Sequence, residues 1–268
     1  MKMNATTLRV SFLVASVALT SASALADGEP IAWWQADGNA NDSSGNGYNG
    51  SLEGSTWFGS GVFGGQAFEF GGAGSGDYVS VPSSGTWGFG SGSFTVNVWA
   101  QFEGFGNGYN GGLGDTFVGQ DAGQGYYNKW VFFYNFGSDQ LGFHLNGSDS
   151  QYTWMYSPET VDVVPGEWNM FTVTRSGSTY TFYFDGSEVG TQTSDANVPY
   201  SGSDLTIGQA EGLGWFDGGI TDVSIWGEAL SGSQVESLYR NNSVTPSPAA
   251  ALPLMFGVGA MASRRRKR

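Results

Sequence analysis

The chain has 268 residues and no cysteine, and it is strongly acidic, with 24 Asp and Glu residues against ten Lys and Arg. Seven of the ten bases lie in the first nine or the last five residues, so residues 27–240 hold three bases and all 24 acids, a net charge of −21. A surface of this charge repels nucleic acid and anionic membranes, which excludes nucleic-acid binding, and it attracts divalent cations. The 214 residues of this segment are enough to bury a core without disulfides.

Residues 1–26 have the features of a secretory signal peptide. Lys2 and Arg9 form a positive region, residues 10–19 are apolar, and Ala24-Leu25-Ala26 is a small-residue cleavage motif. A membrane anchor is the alternative, but it needs about 20 apolar residues, more than this run offers. We therefore predict an exported protein whose mature chain begins at Asp27.

Short runs of alternating apolar and polar residues, separated by Gly, Asn, Asp and Ser, fill residues 27–240. The clearest runs are Ala67–Phe70, Tyr78–Val81, Phe94–Gln101, Lys129–Tyr134, Gln140–Leu145, Asn169–Thr174, Tyr180–Phe184 and Glu188–Thr193. Phe94, Val96, Val98 and Ala100 fall on one face of their run, and Asp185-Gly186 between the last two runs indicates a hairpin. This pattern predicts an all-β fold, an antiparallel β-sandwich in a single domain whose two ends lie close together.

The segment from Leu205 to Arg240 predicts a short strand, a glycine-rich loop, a long strand carrying Asp217 and Asp222, and one short helix. The helix should begin at Ser231, because Ser231 and Gln234 form an S-x-x-Q capping box. Its apolar face consists of Val235, Leu238 and Tyr239. No earlier segment has a convincing helical period, so this is the single helix that we expect in the domain.

Several motifs, in chain order, resemble those of laminin-G-like (concanavalin A-like) jelly-roll domains. They are the opening A-W-W with D-S-S-G-N-G, the G-x-x-G region before Ala67, D-Y-V-x-V-P from Asp77, F-T-V-x-x-W from Phe94, G-x-W from Gly166, Y-x-D-G from Tyr183, and the closing F-D-G-G-I-T-D-V-S-I-W-G-E-A-L-S from Phe216. The resemblance implies a jelly roll over residues 27–240 and a role in binding or adhesion rather than catalysis.

A calcium site is the main chemical prediction. Residues 37–42, D-G-N-A-N-D, concentrate the oxygen ligands that Ca²⁺ prefers, although Asp42 and Tyr48 stand where an EF-hand needs Gly and Glu. Related sandwich domains hold calcium between the opening loop and a late strand, and the resemblance implies Asp37 and Asn39 as ligands with Asp222 opposite. The alternative is that the loop hydrogen-bonds its own backbone and that Asp222 caps a loop.

Catalytic motifs are missing from the sequence. The two G-N-G-Y-N-G segments do not join a strand to a helix, there is no G-x-S-x-G, and the single histidine, His144, alternates with apolar residues. Sandwich glucanases use an E-x-D-x-E strand, which does not occur here, and Glu69, Glu159 and Glu167 are scattered. We expect a protein that is not an enzyme.

Aromatic residues in or beside long loops are the remaining candidates for ligand binding, because sugar rings can stack on them. They are Tyr109, Tyr126, Tyr127, Trp154, Tyr156 and Trp215. The alternative is that they pack under the loops as a small satellite core. We predict a cell-surface module that binds glycan or another extracellular polymer. The alternatives are a structural matrix component without a specific ligand, and a polysaccharide hydrolase or lyase.

The C-terminal segment is predicted to direct sorting. Residues 241–248 form a Pro/Ser linker, and residues 249–268 are a short apolar run followed by Arg264–Arg268. This arrangement resembles the PEP-CTERM tails of bacterial surface proteins, although Ser247-Pro248 stands in place of Pro-Glu-Pro. It implies a processing protease and a surface or extracellular location, with a single-pass anchor, its basic end on the cytoplasmic side, as the alternative.

Overall fold

The computed structural model describes residues 28–105, 115–123, 125, 128–147 and 152–241. Within these ranges the elements are β1 (Ala32–Trp34), β2 (Ser51–Glu53), β3 (Trp57–Ser60), β4 (Gln66–Gly71), β5 (Tyr78–Val81), β6 (Phe94–Phe102), β7 (Asp115–Gln120), β8 (Lys129–Asn135), β9 (Gln140–Asn146), β10 (Tyr152–Tyr156), β11 (Trp168–Ser176), β12 (Thr179–Phe184), β13 (Ser187–Thr193), β14 (Leu205–Ile207), β15 (Asp217–Trp226) and α1 (Gly232–Asn241). Two short 3-10 turns, Val62–Gly64 and Gly85–Trp87, complete the set.

The strands form two antiparallel sheets that pack face to face. One sheet has the order β13-β12-β11-β6-β15-β4-β3, with β1 also paired to β15, and the other has the order β10-β9-β8-β7-β14-β5-β2. The predicted antiparallel β-sandwich is therefore confirmed. The opening strand β1 pairs with the closing strand β15, Ala32 opposite Ile225, so the two ends of the domain meet in one sheet, as predicted.

The core between the sheets is largely aromatic. The predicted inner face of β6 is confirmed, since Phe94, Val96, Val98 and Ala100 are all fully buried. The rings of Phe117 and Phe171 lie 4.7 Å apart, so residues from opposite sheets meet at the centre. Burying a side chain of this size contributes about 1.5–3 kcal/mol, which explains how the domain dispenses with disulfides.

Two local predictions are also confirmed. Asp185 and Gly186 both have positive φ, 48° and 77°, the geometry of the turn that matches strand twist in a two-residue hairpin. The helix begins after Ser231, whose backbone N–H donates to Oε1 of Gln234 at 2.7 Å. The Ser231 hydroxyl also donates to that oxygen, at 2.6 Å, so the cap uses the glutamine half of the capping box.

Helix α1 lies on the outer face of the sheet that contains β6. Val235 and Leu238 are buried there against Trp99, Met170, Trp226 and Leu230, and the ring of Tyr239 stacks on Trp99 at 5.6 Å. None of the helices in the described ranges is long and apolar enough to cross a membrane. The predicted signal peptide and sorting tail, and the linker beyond Asn241, lie outside the described residues.

Candidate functional site

Strand β10 carries Trp154 and Tyr156, two of the aromatics that the sequence analysis placed in or beside long loops as ligand-binding candidates. Its sequence, Y-T-W-M-Y, alternates along an edge strand, so Tyr152, Trp154 and Tyr156 project from the same face while Met155 enters the core. The alternation was a signal for a strand that the sequence analysis missed. Tyr152 is 63% exposed, and Trp154 and Tyr156 are partly buried.

The rings on this face form one contiguous cluster, which we name the aromatic platform: Phe133, His144, Tyr152, Trp154 and Tyr156. The rings of Trp154 and Tyr156 are 6.4 Å apart and within 7° of parallel. His144 stacks on Trp154 at 3.8 Å, and Phe133 meets Trp154 and Tyr156 edge-on at 5.9 Å each. The platform therefore draws residues from three neighbouring strands, β8, β9 and β10.

A glycine on β9 makes room for this arrangement. Gly142 lies between Phe133 on β8 and Tyr156 on β10 in the sheet register. A Cβ at Gly142 would overlap the ring of Phe133, so only glycine lets that ring lie across the strand and support the platform. The satellite packing considered from sequence is also present, because Trp154 and Tyr156 contact a small cluster of Val131, Phe133 and Ala210.

His144 supports the platform as a neutral ring. Burial lowers the pKa of His144 to about 4, the Lys129 charge lowers it further, and a hydrogen bond with Thr153 opposes both. Nδ1 lies 3.0 Å from the carbonyl oxygen of Thr153, so Nδ1 carries the proton and donates. A neutral histidine that is 2% exposed and stacked on tryptophan is a packing residue in this position.

The other predicted aromatics lie elsewhere. Trp215 donates from Nε1 to the carbonyl oxygen of Gly212 at 3.0 Å and contacts Tyr78 on β5, which is five strands from β10 in the same sheet. It is therefore separate from the platform. Tyr109, Tyr126 and Tyr127 lie outside the described residues.

A cavity of about 190 Å³ lies beside β15 and contains two of the three predicted metal ligands. It is lined by Trp33, Gln35, Asp37, Val62, Phe63, Gly65, Gln66, Thr221 and Asp222. Strand β15 pairs with β4 up to Ile220 and with β1 from Val223 onward. Asp222 therefore lies where the strand changes its pairing partner. A bulge against β6 occurs at the same place, and Asp222 has a φ of 48°.

The charge of Asp37 affects Asp222 in this cavity. Burial raises the pKa of Asp222 to about 6, and the charge of Asp37 adds to this rise, while a hydrogen bond from Trp33 Nε1 at 3.1 Å opposes it. Asp37 accepts the backbone N–H of Gln66 at 3.2 Å. Neither acid has a basic residue beside it in the cavity lining, which is the arrangement that a hard cation would stabilise.

Asn39 and Asp42 have local roles in the opening loop. Asn39 does not line the cavity, and its amide oxygen accepts the N–H of Asn41 at 2.8 Å. Burial would raise the pKa of Asp42, but hydrogen bonds from Ser44, Trp33 and Tyr48 lower it. The backbone-bonded loop considered from sequence is thus present here, while Asp37 and Asp222 meet in the cavity. No group of three His, Cys, Asp or Glu suited to a metal occurs within the described ranges.

The comparisons with known proteins agree with the fold. A laminin G family model, described as the concanavalin A-like lectin/glucanases superfamily, matches residues 72–236. The chain belongs to this superfamily. No curated protein matches the sequence significantly.

Solved structures with the same fold include a domain of a carbohydrate-active enzyme. Domain 4 of AbnA, a GH43 extracellular arabinanase from Geobacillus stearothermophilus in complex with arabinotriose, has a TM-score of 0.61 at 18% identity, covering 79% of this chain and 98% of that domain. The binding domain of Paraclostridial Mosquitocidal Protein 1 has a TM-score of 0.62 at 15% identity, covering 80% and 52%. The binding domain of botulinum neurotoxin DC with rat synaptotagmin II has 0.59 at 16% identity, covering 81% and 52%. The chain thus spans about half the length of these toxin domains.

Proposed function

We propose that this protein is an extracellular binding module for glycans and that the aromatic platform is its binding surface. The observation that carries the proposal is the near-parallel pair Trp154 and Tyr156, with ring centroids 6.4 Å apart on an edge strand. Flat, partly exposed aromatic rings held by buried neighbours offer apolar area to the C–H faces of a sugar at little cost in side-chain entropy. The arabinanase domain with bound arabinotriose shares the fold and supports the choice of a glycan.

The test is a glycan array followed by titration calorimetry on the purified protein. Trp154→Ala should weaken binding of the selected glycan at least tenfold, because it removes one ring of the pair. Trp215→Ala is the matched control, since this tryptophan lies near the other edge of the same sheet, and it should bind as the wild type does. Equal losses in both variants would contradict the assignment to the platform. The absence of any glycan ligand would favour the structural matrix role.

We propose further that the cavity beside β15 holds a calcium ion between Asp37 and Asp222. Both acids line one cavity without a basic neighbour in its lining, and bound Ca²⁺ would offset their mutual repulsion. The side chains of Gln35 and Gln66 are further oxygen donors in the same lining. Asn39 is not among the proposed calcium ligands, because its side-chain oxygen already accepts a hydrogen bond within the loop.

We also propose that the protein binds without turnover, and that it is exported and sorted to the cell surface. The signal features of residues 1–26 and the apolar and basic tail of residues 249–268 support export and processing. Mass spectrometry of native material should find a chain lacking Arg264–Arg268 or a membrane-bound precursor. A freely soluble extracellular protein with an intact C-terminus would contradict the sorting role.

A further inference from the structure

A second surface lies on the outer face of the other sheet, beside helix α1. Five positions are in register across neighbouring strands β3, β4, β15, β6 and β11: Trp57, Glu69, Gly219, Gln101 and Trp168. We name them the Glu69 row. Trp57 is 49% exposed, which is unusual for tryptophan, and Trp168 is partly buried. With strands about 4.8 Å apart, the row extends for about 19 Å between the outer Cα atoms.

Two glycines hold Glu69 in the sheet surface. A Cβ at Gly59 would overlap the Glu69 carboxyl group, so the side chain lies over that glycine. A Cβ at Gly219 would be 2.9 Å from the Trp168 ring and 3.3 Å from Oε1 of Glu69. The absence of side chains at these positions thus lets the tryptophan ring and the carboxyl group approach each other. Glu69 is only 9% exposed as a result.

The Glu69 carboxyl group lacks a hydrogen-bond partner among the described residues. Burial raises its pKa to about 7, and the charge of Glu103 adds to the rise. Removing an ionised carboxylate from water without a partner is costly, and a cation or a strong donor beside it would lower that cost.

The protein supplies no cation to this site from its described residues. Lys129 pairs with Glu211, and Arg240 pairs with Glu236 on α1. Arg175 donates to the carbonyl oxygens of Gly90 and Ala196. These three are all the basic residues between positions 28 and 241, so a cation beside Glu69 would come from a ligand.

We propose that the Glu69 row binds a cationic amino-sugar chain, with a sugar ammonium group donating to Glu69 and the sugar rings lying against Trp57 and Trp168. An ammonium group satisfies the carboxylate through a charge-assisted hydrogen bond and is also attracted to indole faces. The length of the row favours a chain of rings over a single amine, because its two tryptophans lie on strands at opposite ends. This site is separate from the aromatic platform and does not depend on it.

Calorimetry with two oligosaccharides tests the proposal. The wild-type protein should bind a glucosamine tetramer at neutral pH at least tenfold more tightly than the N-acetylglucosamine tetramer, whose amides carry no charge. Glu69→Gln keeps the shape of the side chain and should weaken glucosamine binding about tenfold or more, as expected for the loss of a charged hydrogen bond. Trp57→Ala should weaken it by a similar factor.

Two control variants show whether glucosamine binding depends on the Glu69 row in particular. Glu188→Gln removes an exposed acid on β13 of the same sheet and should leave binding unchanged, which excludes a general effect of the −21 charge. Trp215→Ala, at a tryptophan outside both surfaces, should also leave it unchanged, and a loss confined to Glu69→Gln and Trp57→Ala separates this row from the platform. Equal binding of the two tetramers, or no effect of Glu69→Gln, would overturn the proposal. Tighter Glu69-dependent binding of a lysine tetrapeptide would overturn the assignment to a sugar.

Discussion

Replacing Glu69 by glutamine should stabilise the protein, and increasingly so as the pH rises. The pKa of Glu69 is about 7 in the folded protein against 4.5 for the unconstrained group, because of burial and the charge of Glu103. The folded state therefore binds more protons than the unfolded state between these two values. The stability that the protonated group contributes is fully present below about pH 4.5 and is lost as the pH rises through 7.

The magnitude follows from the difference in pKa. A difference of about 2.5 units corresponds to about 3 kcal/mol in the free energy of unfolding, and partial contact with water reduces this to about 2–3 kcal/mol. Glutamine has nearly the same shape and does not ionise, so Glu69→Gln removes this pH-dependent loss. For a domain of this size, the difference at pH 8 corresponds to a rise in Tm of roughly 4–12 °C.

The assay is urea unfolding of the wild type and the variant at several pH values from 5 to 8. The difference in unfolding free energy should be small at pH 5 and should approach its maximum at pH 8. Other titrating groups are present in both proteins, and their contributions cancel in the difference. Glu188→Gln is the control, since this acid is exposed on the same sheet. Parallel pH profiles for the wild type and Glu69→Gln would refute the reasoning.

Three further predictions concern the other two sites. Gly142→Ala should lower the free energy of unfolding by about 1–3 kcal/mol, because its Cβ overlaps the ring of Phe133, and should weaken glycan binding; unchanged melting and calorimetry would contradict this. His144 has a pKa of about 4 in the folded protein, so the unfolding free energy of the wild type should fall by about 3 kcal/mol relative to that of His144→Gln as the pH falls from 6.5 to 4. Equal losses for the two proteins in urea unfolding would contradict this prediction. Chelator should lower the Tm of the wild type and of the control Asp217→Asn but not that of Asp222→Asn. Calcium at a hundredfold excess over Kd stabilises the folded protein by about 2.7 kcal/mol. A wild type whose Tm is unaffected by chelator would exclude the calcium site.

Local sequence patterns determined the strands, the inner faces and the helix of this protein. The alternation in Phe94–Gln101 places its apolar residues on one face wherever the strand lies, because successive side chains of a strand point to opposite sides. The Asp185-Gly186 turn and the Ser231 cap were equally predictable, since they depend on backbone angles and hydrogen bonds within a few residues. The Y-T-W-M-Y strand has the same alternation, but it lies between loops and was not predicted from the sequence.

The candidate sites were decided by the tertiary structure. Sequence reasoning named Trp154 and Tyr156, but the platform exists because β8, β9 and β10 are neighbours and because Gly142 leaves room for a ring from β8. The resemblance suggested that Asp37 and Asp222 lie together, and the exchange of partners along β15 is what opens the cavity between them.

Glu69 shows most clearly what local sequence leaves undetermined. Nothing in A-F-E-F distinguishes its glutamate from any polar residue on the outer face of a strand. Its burial depends on Gly59 on one neighbouring strand and Gly219 on the other, which are separated by 160 positions in the chain. Local sequence fixes which way a side chain points, whereas the pairing order of the strands fixes what it meets, and that order depends on the packing of the whole sandwich.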